Sequence, residues 1–215
     1  MTLRFKTYLF DLDGTLLDTL PDFVAVTNRT LSQEGYRTYT MDEMVRLFGG
    51  GLLEFIRKAL PLGTPEEEIR RVYQLWNKNF HEHGLETTTP YPQVRETLEA
   101  LKREGAQLGV VSNKIDSHTQ STIQQIFPGV FQAVHGECAD FPRKPDPTSL
   151  LRTMEELGAQ AETTVYVGDS AGDMQAARAA KLFAVAVDYG YGENGGAGRK
   201  SADAVITGFE QLLSL

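Results

Sequence analysis

Two aspartates, Asp11 and Asp13, come directly after the apolar run Tyr8-Leu9-Phe10 and directly before Gly14 and Thr15. Side chains two positions apart on a strand point the same way, so both carboxylates converge at a strand end. Carboxylates held together repel each other unless a cation or a proton sits between them. The pattern therefore suggests a divalent metal and chemistry on an oxygen-rich substrate. One carboxylate can attack phosphorus and form an acyl phosphate. A second acid two residues on can protonate the leaving group and then activate water.

Three further groups of reactive residues stand at or just after other apolar runs. Ser112-Asn113-Lys114 follows Gly109-Val110-Val111, Lys144 lies in Arg143-Lys144-Pro145-Asp146-Pro147, and Gly168-Asp169-Ser170-Ala171-Gly172-Asp173 follows Val165-Tyr166-Val167. Asp169 could join Asp11 as a hard oxygen ligand for Mg²⁺, a cation that takes few carboxylates and keeps several waters. Asp173 could hold one of those waters. Lys144 supplies positive charge that shields the carboxylates from an incoming anion. Ser112 and nearby backbone N–H groups could hold phosphoryl oxygens.

The elements that must position these residues alternate. Short apolar runs at 7–10, 108–111, 130–134, 164–167 and 183–187 read as strands. They are continuous rather than alternating, as expected when both sheet faces are covered. Helical spacing fills 93–103, 116–127, 147–157 and 173–181. Strand–helix alternation implies an α/β fold, a Rossmann-like, doubly wound parallel sheet. Ligands bind such sheets beyond the carboxyl ends of the strands. Between Asp18 and Thr88 no strand is expected, and 22–34, 41–48, 52–60 and 65–83 read as helices. Pro65 before Glu66, Glu67 and Glu68 suits a helix start, where proline fits the first turn and acids face the positive dipole end. The expected organisation is a catalytic core from residues 1–17 and 88–215 with an inserted α-helical cap over 18–87, hinged at 18–21 and 87–92. Gly49, Gly50 and Gly51 are expected to separate two cap helices.

Composition narrows the function class. A formal net charge of -8 over 215 residues argues against a nucleic-acid binder, which needs a basic face. An anionic substrate stays compatible, because a site can be locally positive in an acidic protein. Cys138 is the single cysteine, so no internal disulfide forms, and a reducing, cytoplasmic setting is expected. Cys138 itself is expected to be a small packed side chain. No long apolar segment follows Arg4 and Lys6, so no secretory signal is expected. No run approaches the about 18 apolar residues of a membrane span. The expected partner is a small phosphorylated metabolite, with no nucleic acid and no membrane; monomer and homodimer both stay open.

The four motifs, in this order and over nearly the whole chain, resemble those of the haloacid dehalogenase-like hydrolase superfamily. Its first motif, Asp-x-Asp-Gly-Thr after an apolar strand, is highly specific and reads here as Asp11-Leu12-Asp13-Gly14-Thr15. The resemblance implies that Asp11 is the nucleophile and Asp13 the general acid/base. It implies that Asp11, the Asp13 backbone carbonyl and Asp169 bind Mg²⁺, with Asp173 supporting. Ser112 and Lys144 would position the phosphoryl group. Gly14, Thr15, Asn113, Lys114 and the cap residue Arg46 complete the expected phosphate- and substrate-binding set. The second acid, Asp13, argues against dehalogenation.

Within the superfamily the chain looks most like phosphoglycolate phosphatases. The relevant pieces are the Asp11 to Thr19 run, Ser112-Asn113-Lys114, Lys144-Pro145-Asp146-Pro147 and Asp188-Tyr189-Gly190-Tyr191-Gly192. Pyrophosphatases, sugar-phosphate phosphatases and phosphomutases share much of them. Two patterns point elsewhere. Gly168-Asp169-Ser170-Ala171-Gly172 fits the serine-hydrolase elbow, which would make Ser170 an esterase nucleophile, yet no histidine follows His135. Gly190-Tyr191-Gly192-Glu193-Asn194-Gly195 fits a dinucleotide fingerprint but stands too late for a βαβ unit, so a loop is expected.

Overall fold

The computed structural model describes residues 3–192 and 200–215. The later part of the expected glycine-rich loop, residues 193–199, lies outside the described residues. The chain divides into two compact units: Met1–Asp18 with Pro90–Leu215, and Thr19–Thr89.

The first unit opens with β1 (Thr7–Phe10) and β2 (Leu17–Asp18). The second holds α1 (Leu20–Gln33), α2 (Met41–Val45), α3 (Leu52–Ala59) and α4 (Glu66–His83). After β3 (Thr89–Pro90) come α5 (Val94–Arg103), β4 (Gln107–Ile115), α6 (Asp116–Ile126) and β5 (Ala133–Glu137). Then follow α7 (Thr148–Leu157), β6 (Thr164–Gly168), α8 (Ala171–Ala179), β7 (Phe183–Val187) and β8 (Ala204–Ile206).

Strands β5, β4, β1, β6, β7 and β8 lie in that spatial order, and every neighbouring pair is parallel. β1 is central. Phe10 is level with Val110 on one side and Val167 on the other. The register therefore delivers Asp11, Ser112 and Asp169 to the same edge of the sheet, at the carboxyl ends of the strands. Side chains alternate between two cores. Tyr8, Phe10, Leu108, Val110, Val165 and Val167 pack with Leu98 and Leu101 of α5 and with Phe209. Leu9, Val111, Tyr166 and Ala184 pack with Leu150 of α7 and Met174 of α8. Burial on both faces is why these strands read as unbroken apolar runs.

The helical unit has its own core, where Leu31, Ile56, Val72 and Trp76 meet. Trp76 Nε1 donates to Thr27 Oγ1 at 2.9 Å and Asn79 Nδ2 to Thr30 Oγ1 at 2.9 Å, so the buried polar groups between α1 and α4 are paired. Pro65 caps α4, ahead of its three glutamates.

Several details differ from the sequence expectation, among them β5, expected at 130–134 and found at Ala133–Glu137 because Val130 still turns back onto Phe127 O. β4 continues to Ile115, with a register shift against β5 between Val111 and Ile115. Ser112, Asn113 and Lys114 therefore lie in the irregular stretch of β4 between its paired residues Val111 and Ile115, which extends the strand beyond the expected apolar run. β8, three residues long, was too short to carry a periodic signal. Cys138 is exposed, not packed. It starts a tight turn, with its N–H donating to Phe141 O at 3.0 Å, and Phe141 is the residue that packs, stacked on His135 at 3.8 Å between ring centroids.

Candidate active site

Apart from Arg46, the expected site residues all belong to the first unit, on its strand ends, on the segment between β5 and α7 that carries Lys144, and on the first turn of α8. Asp11 N donates to Val167 O at 2.9 Å, which carries the β1–β6 ladder one residue further and holds Asp11 on the sheet edge. The chain then turns tightly, with Leu16 N and Leu17 N both donating to Leu12 O at 3.0 Å. Gly14 sits in this turn at φ 82°, in the left-handed region, and a side chain there would collide with the Asp169 carboxylate. Glycine is thus required twice over, by conformation and by the approach of the two acid-bearing loops.

Lys144 lies at the centre and is 6% exposed. Its Nζ is 2.6 Å from Asp11 Oδ1, 2.7 Å from Asp173 Oδ1, 2.7 Å from the Tyr166 hydroxyl and 3.0 Å from Val111 O. Asn113 secures the backbone that carries this lysine. Lys144 N donates to Asn113 Oδ1 at 2.8 Å, and Asn113 Nδ2 donates to Lys144 O at 3.1 Å. Both ends of the Asn113 amide are thus taken by the lysine's own peptide groups. Tyr166 is fully buried, and its hydroxyl lies 3.0 Å from both Asp173 Oδ1 and Val111 O.

Asp173 stands in the first turn of α8, where its carboxylate accepts from Ser170 N at 2.9 Å and from Ser170 Oγ at 2.5 Å. In return Ser170 Oγ accepts from Asp173 N at 3.2 Å, completing a capping box. The Ser170 hydroxyl is therefore a helix cap bonded to a carboxylate, and the elbow-like spacing is that of a strand–helix turn. Asp169 is wrapped by the loop after β7. Gly192 N donates to Asp169 Oδ2 at 2.8 Å, and any side chain at Gly190 would strike Asp169. The loop is anchored in turn by Tyr189 and Tyr191, whose hydroxyls reach Thr15 O at 3.0 Å and Leu17 O at 3.2 Å.

The other expected residues fall as follows. Asp13 Oδ1 and Lys114 Nζ form an ion pair at 2.9 Å. Ser112 is buried and its Oγ accepts from Lys114 N at 3.1 Å. The Thr15 hydroxyl is buried with no partner among the described residues. Arg46, at the C-terminal end of α2, belongs to the helical unit, whereas all the others belong to the first. Tyr166, Tyr189 and Tyr191 were not among the expected functional residues. Tyr166 reads as one more aromatic in an apolar run, while the Tyr-Gly-Tyr-Gly pattern after β7 was a readable signal.

Charge explains the tension in the site. Burial raises the Asp11 carboxyl well above the ordinary range, with Lys144 opposing and Asp173 and Asp169 adding to the rise. Burial, then the Asp173 charge, pushes Asp169 up to about 7. Burial also opposes ionisation of Asp173, but the ammonium of Lys144 and the bonds from Ser170 outweigh it and hold that carboxyl low. Burial disfavours the charged lysine, yet Asp11 and Asp173 keep Lys144 above its usual value. Oxygens of Asp11, Asp169 and Asp173 all lie within 4.8 Å of one another. With all three acids ionised, three carboxylates against one ammonium would leave two negative charges in excess, and burial together with this excess holds protons on Asp11 and Asp169. An all-oxygen donor set with that excess fits a hard divalent cation such as Mg²⁺.

The chain is similar to known proteins in sequence and in fold. A family model described as haloacid dehalogenase-like hydrolase matches residues 8–187. A phosphoglycolate phosphatase of Aquifex aeolicus is 33% identical over 86% of this chain and 86% of its own. One from Nitrosospira multiformis is 31% identical over 99% of this chain and 96% of its own. A crystal structure described as a predicted phosphoglycolate phosphatase from Haemophilus somnus superposes with a TM-score of 0.92 at 27% identity, covering 100% of this chain and 99% of that one. The chain belongs to the haloacid dehalogenase-like hydrolase family, and within it to the phosphatase group that these relatives represent.

Proposed function

We propose that this protein is a Mg²⁺-dependent phosphatase that hydrolyses a small phosphate monoester through a phosphoryl group carried on Asp11. The observation that carries the reading is the junction of Asp11 with Lys144 inside an acid cluster of excess negative charge. Asp11, Asp169 and the Asp13 backbone carbonyl would hold the cation, with Asp173 behind them. Bound there, Mg²⁺ would offset the charge of the phosphate and its carboxylate surroundings.

Asp11 attacks phosphorus while the bond to the leaving oxygen breaks, and the Asp13 carboxylic acid gives its proton to that oxygen. Asp13, now a carboxylate, takes a proton from water as the water oxygen bonds to phosphorus. The phosphorus–Asp11 bond then breaks, releasing inorganic phosphate and the free Asp11 carboxylate. Lys144 and Ser112 hold phosphoryl oxygens during both transfers, with backbone N–H groups of the Asp11 turn. Lys114 steadies the Asp13 side chain from which the proton leaves. We assign the helical unit the role of a cap that excludes water and selects the leaving group. The names of the two relatives make 2-phosphoglycolate the substrate to test first, followed by pyrophosphate and small sugar phosphates. Asp11→Asn should abolish phosphate release with Mg²⁺ present. A purified, folded Asp11→Asn protein that retains turnover would defeat the reading.

A further inference from the structure

We infer that Tyr166 is a positioning residue that fixes the orientation of the Lys144 ammonium, leaving one of its three N–H groups directed at the reacting Asp11 oxygen. The inference rests on the proposed phosphatase reading for its kinetic consequence but not for its structural one.

The argument is a count of hydrogens. Lys144 carries three N–H donors and no acceptor, while a tyrosine hydroxyl has one donor and also accepts. Lys144 Nζ lies within reach of four oxygens: Asp11 Oδ1 at 2.6 Å, Asp173 Oδ1 at 2.7 Å, Tyr166 at 2.7 Å and Val111 O at 3.0 Å. Three hydrogens cannot serve four acceptors singly. Tyr166 resolves the mismatch, because its own hydroxyl lies 3.0 Å from Asp173 Oδ1 as well as from Val111 O and supplies a fourth hydrogen. The lysine hydrogen bonds run to Asp11 Oδ1, Tyr166 and Val111 O, and the tyrosine passes a fourth hydrogen to Asp173 Oδ1, which stays in ion-pair contact with the ammonium. Every acceptor is served. Two lysine N–H groups are pinned by Val111 O and Tyr166, both fully buried and both on the fixed scaffold of β4 and β6. The third points at Asp11.

Phenylalanine at this position keeps the ring and removes the oxygen. Three acceptors then remain for three N–H groups, so the resting site stays satisfied. The ammonium must rotate, however, to serve Asp173 in place of the hydroxyl. Folding should be little affected, while the aim of the remaining N–H changes. The expected signature is a loss in the chemical step without a matching loss of ground-state binding.

The test is Tyr166→Phe, measured in two ways. First, kcat and KM with 2-phosphoglycolate and Mg²⁺: kcat should fall about tenfold or more, the scale of one hydrogen bond to a charged group, with KM within about twofold. Second, the Lys144 side-chain ammonium resonance of the metal-free protein, assigned with Lys144→Arg: it should shift in Tyr166→Phe, while the thermal midpoint moves by no more than about 4 °C. An unchanged kcat, or an unshifted ammonium resonance, would overturn the inference. A wild-type protein without activity on phosphate monoesters would instead defeat the proposed function, and the ammonium resonance alone would then decide the role of Tyr166.

Discussion

Asp22 offers the sharpest prediction about stability. It stands in the first turn of α1 and is 2% exposed. Its carboxylate accepts from Thr87 N at 2.9 Å, Thr87 Oγ1 at 2.7 Å, Thr88 N at 2.7 Å and Thr88 Oγ1 at 2.6 Å. One side chain thereby joins the two ends of the helical unit. Asp22→Asn keeps Oδ1, which accepts from Thr87 N at 3.0 Å and from Thr87 Oγ1, and turns Oδ2, which serves Thr88, into an NH₂ group. The Thr88 hydroxyl can rotate away, but its backbone N–H cannot and is left facing a donor. Losing a hydrogen bond to a charged acceptor costs about 1.5–3 kcal/mol, and a buried unsatisfied N–H about 1–3 kcal/mol, so a net loss of roughly 3 kcal/mol is expected. At about 2–4 °C per kcal/mol, the thermal midpoint should fall by about 6–12 °C. The pH dependence has a definite sign. Burial alone would raise the Asp22 pKa, but the bonds from Thr88 and Thr87 hold it below the ordinary carboxylate range. The stabilisation is therefore complete above the unfolded value of about 3.9 and is lost as pH falls through the lower folded value. Thermal and urea unfolding of both proteins across pH 3–8 (about neutral to well below the unfolded value) measures the gap. A gap below about 1 kcal/mol at neutral pH, or one that widens in acid, would refute the reasoning.

Two further predictions concern the site itself. Gly14→Ala places a methyl group against the Asp169 carboxylate at a left-handed φ; it should weaken Mg²⁺ binding about tenfold or more and destabilise by about 1–3 kcal/mol, read by calorimetric titration and unfolding. Because Asp169 is raised to about 7, the proton competes with the cation there. Apparent Mg²⁺ affinity should rise as pH increases from about 6 to 8, with proton release detectable by calorimetry in buffers of different ionisation enthalpy; a pH-independent affinity with no proton release would contradict this.

Much of the site was legible because its residues announce themselves locally. Asp11 and Asp169 each closely follow an apolar strand, and the parallel register brings both to one sheet edge, whereas Asp13 lies in the turn beyond β1, pairs with Lys114 and stays outside the acid cluster. The parallel, doubly wound core was readable for the same reason: strands covered on both faces cannot hide their continuous apolar runs. Less legible were residues whose partners are set by register between distant strands. Lys114 meets Asp13 across about a hundred residues of sequence. Asn113 looked like a substrate contact, yet its amide clasps the Lys144 backbone. Tyr166 is indistinguishable in sequence from its core neighbours Val165 and Val167, and only the position of α8 and of the Lys144 loop gives its hydroxyl polar company. Cys138 was misjudged because residue type alone says little about a turn. Phe141 fills the space beside His135 instead.

The central claim is that Asp11 carries the phosphoryl group, and Asp13→Asn tests it most directly. An amide at that position cannot take a proton from water, so the second transfer should stall. A p-nitrophenyl phosphate substrate needs no proton on its leaving group, so the first should proceed. After rapid acid quench, mass spectrometry of peptides from Asp13→Asn incubated with that substrate and Mg²⁺ should find one phosphoryl group, on the peptide containing Asp11 and lost in the Asp11→Asn, Asp13→Asn double variant. Phosphate found on any other residue, or a burst of nitrophenol with an unmodified Asp11, would contradict the account.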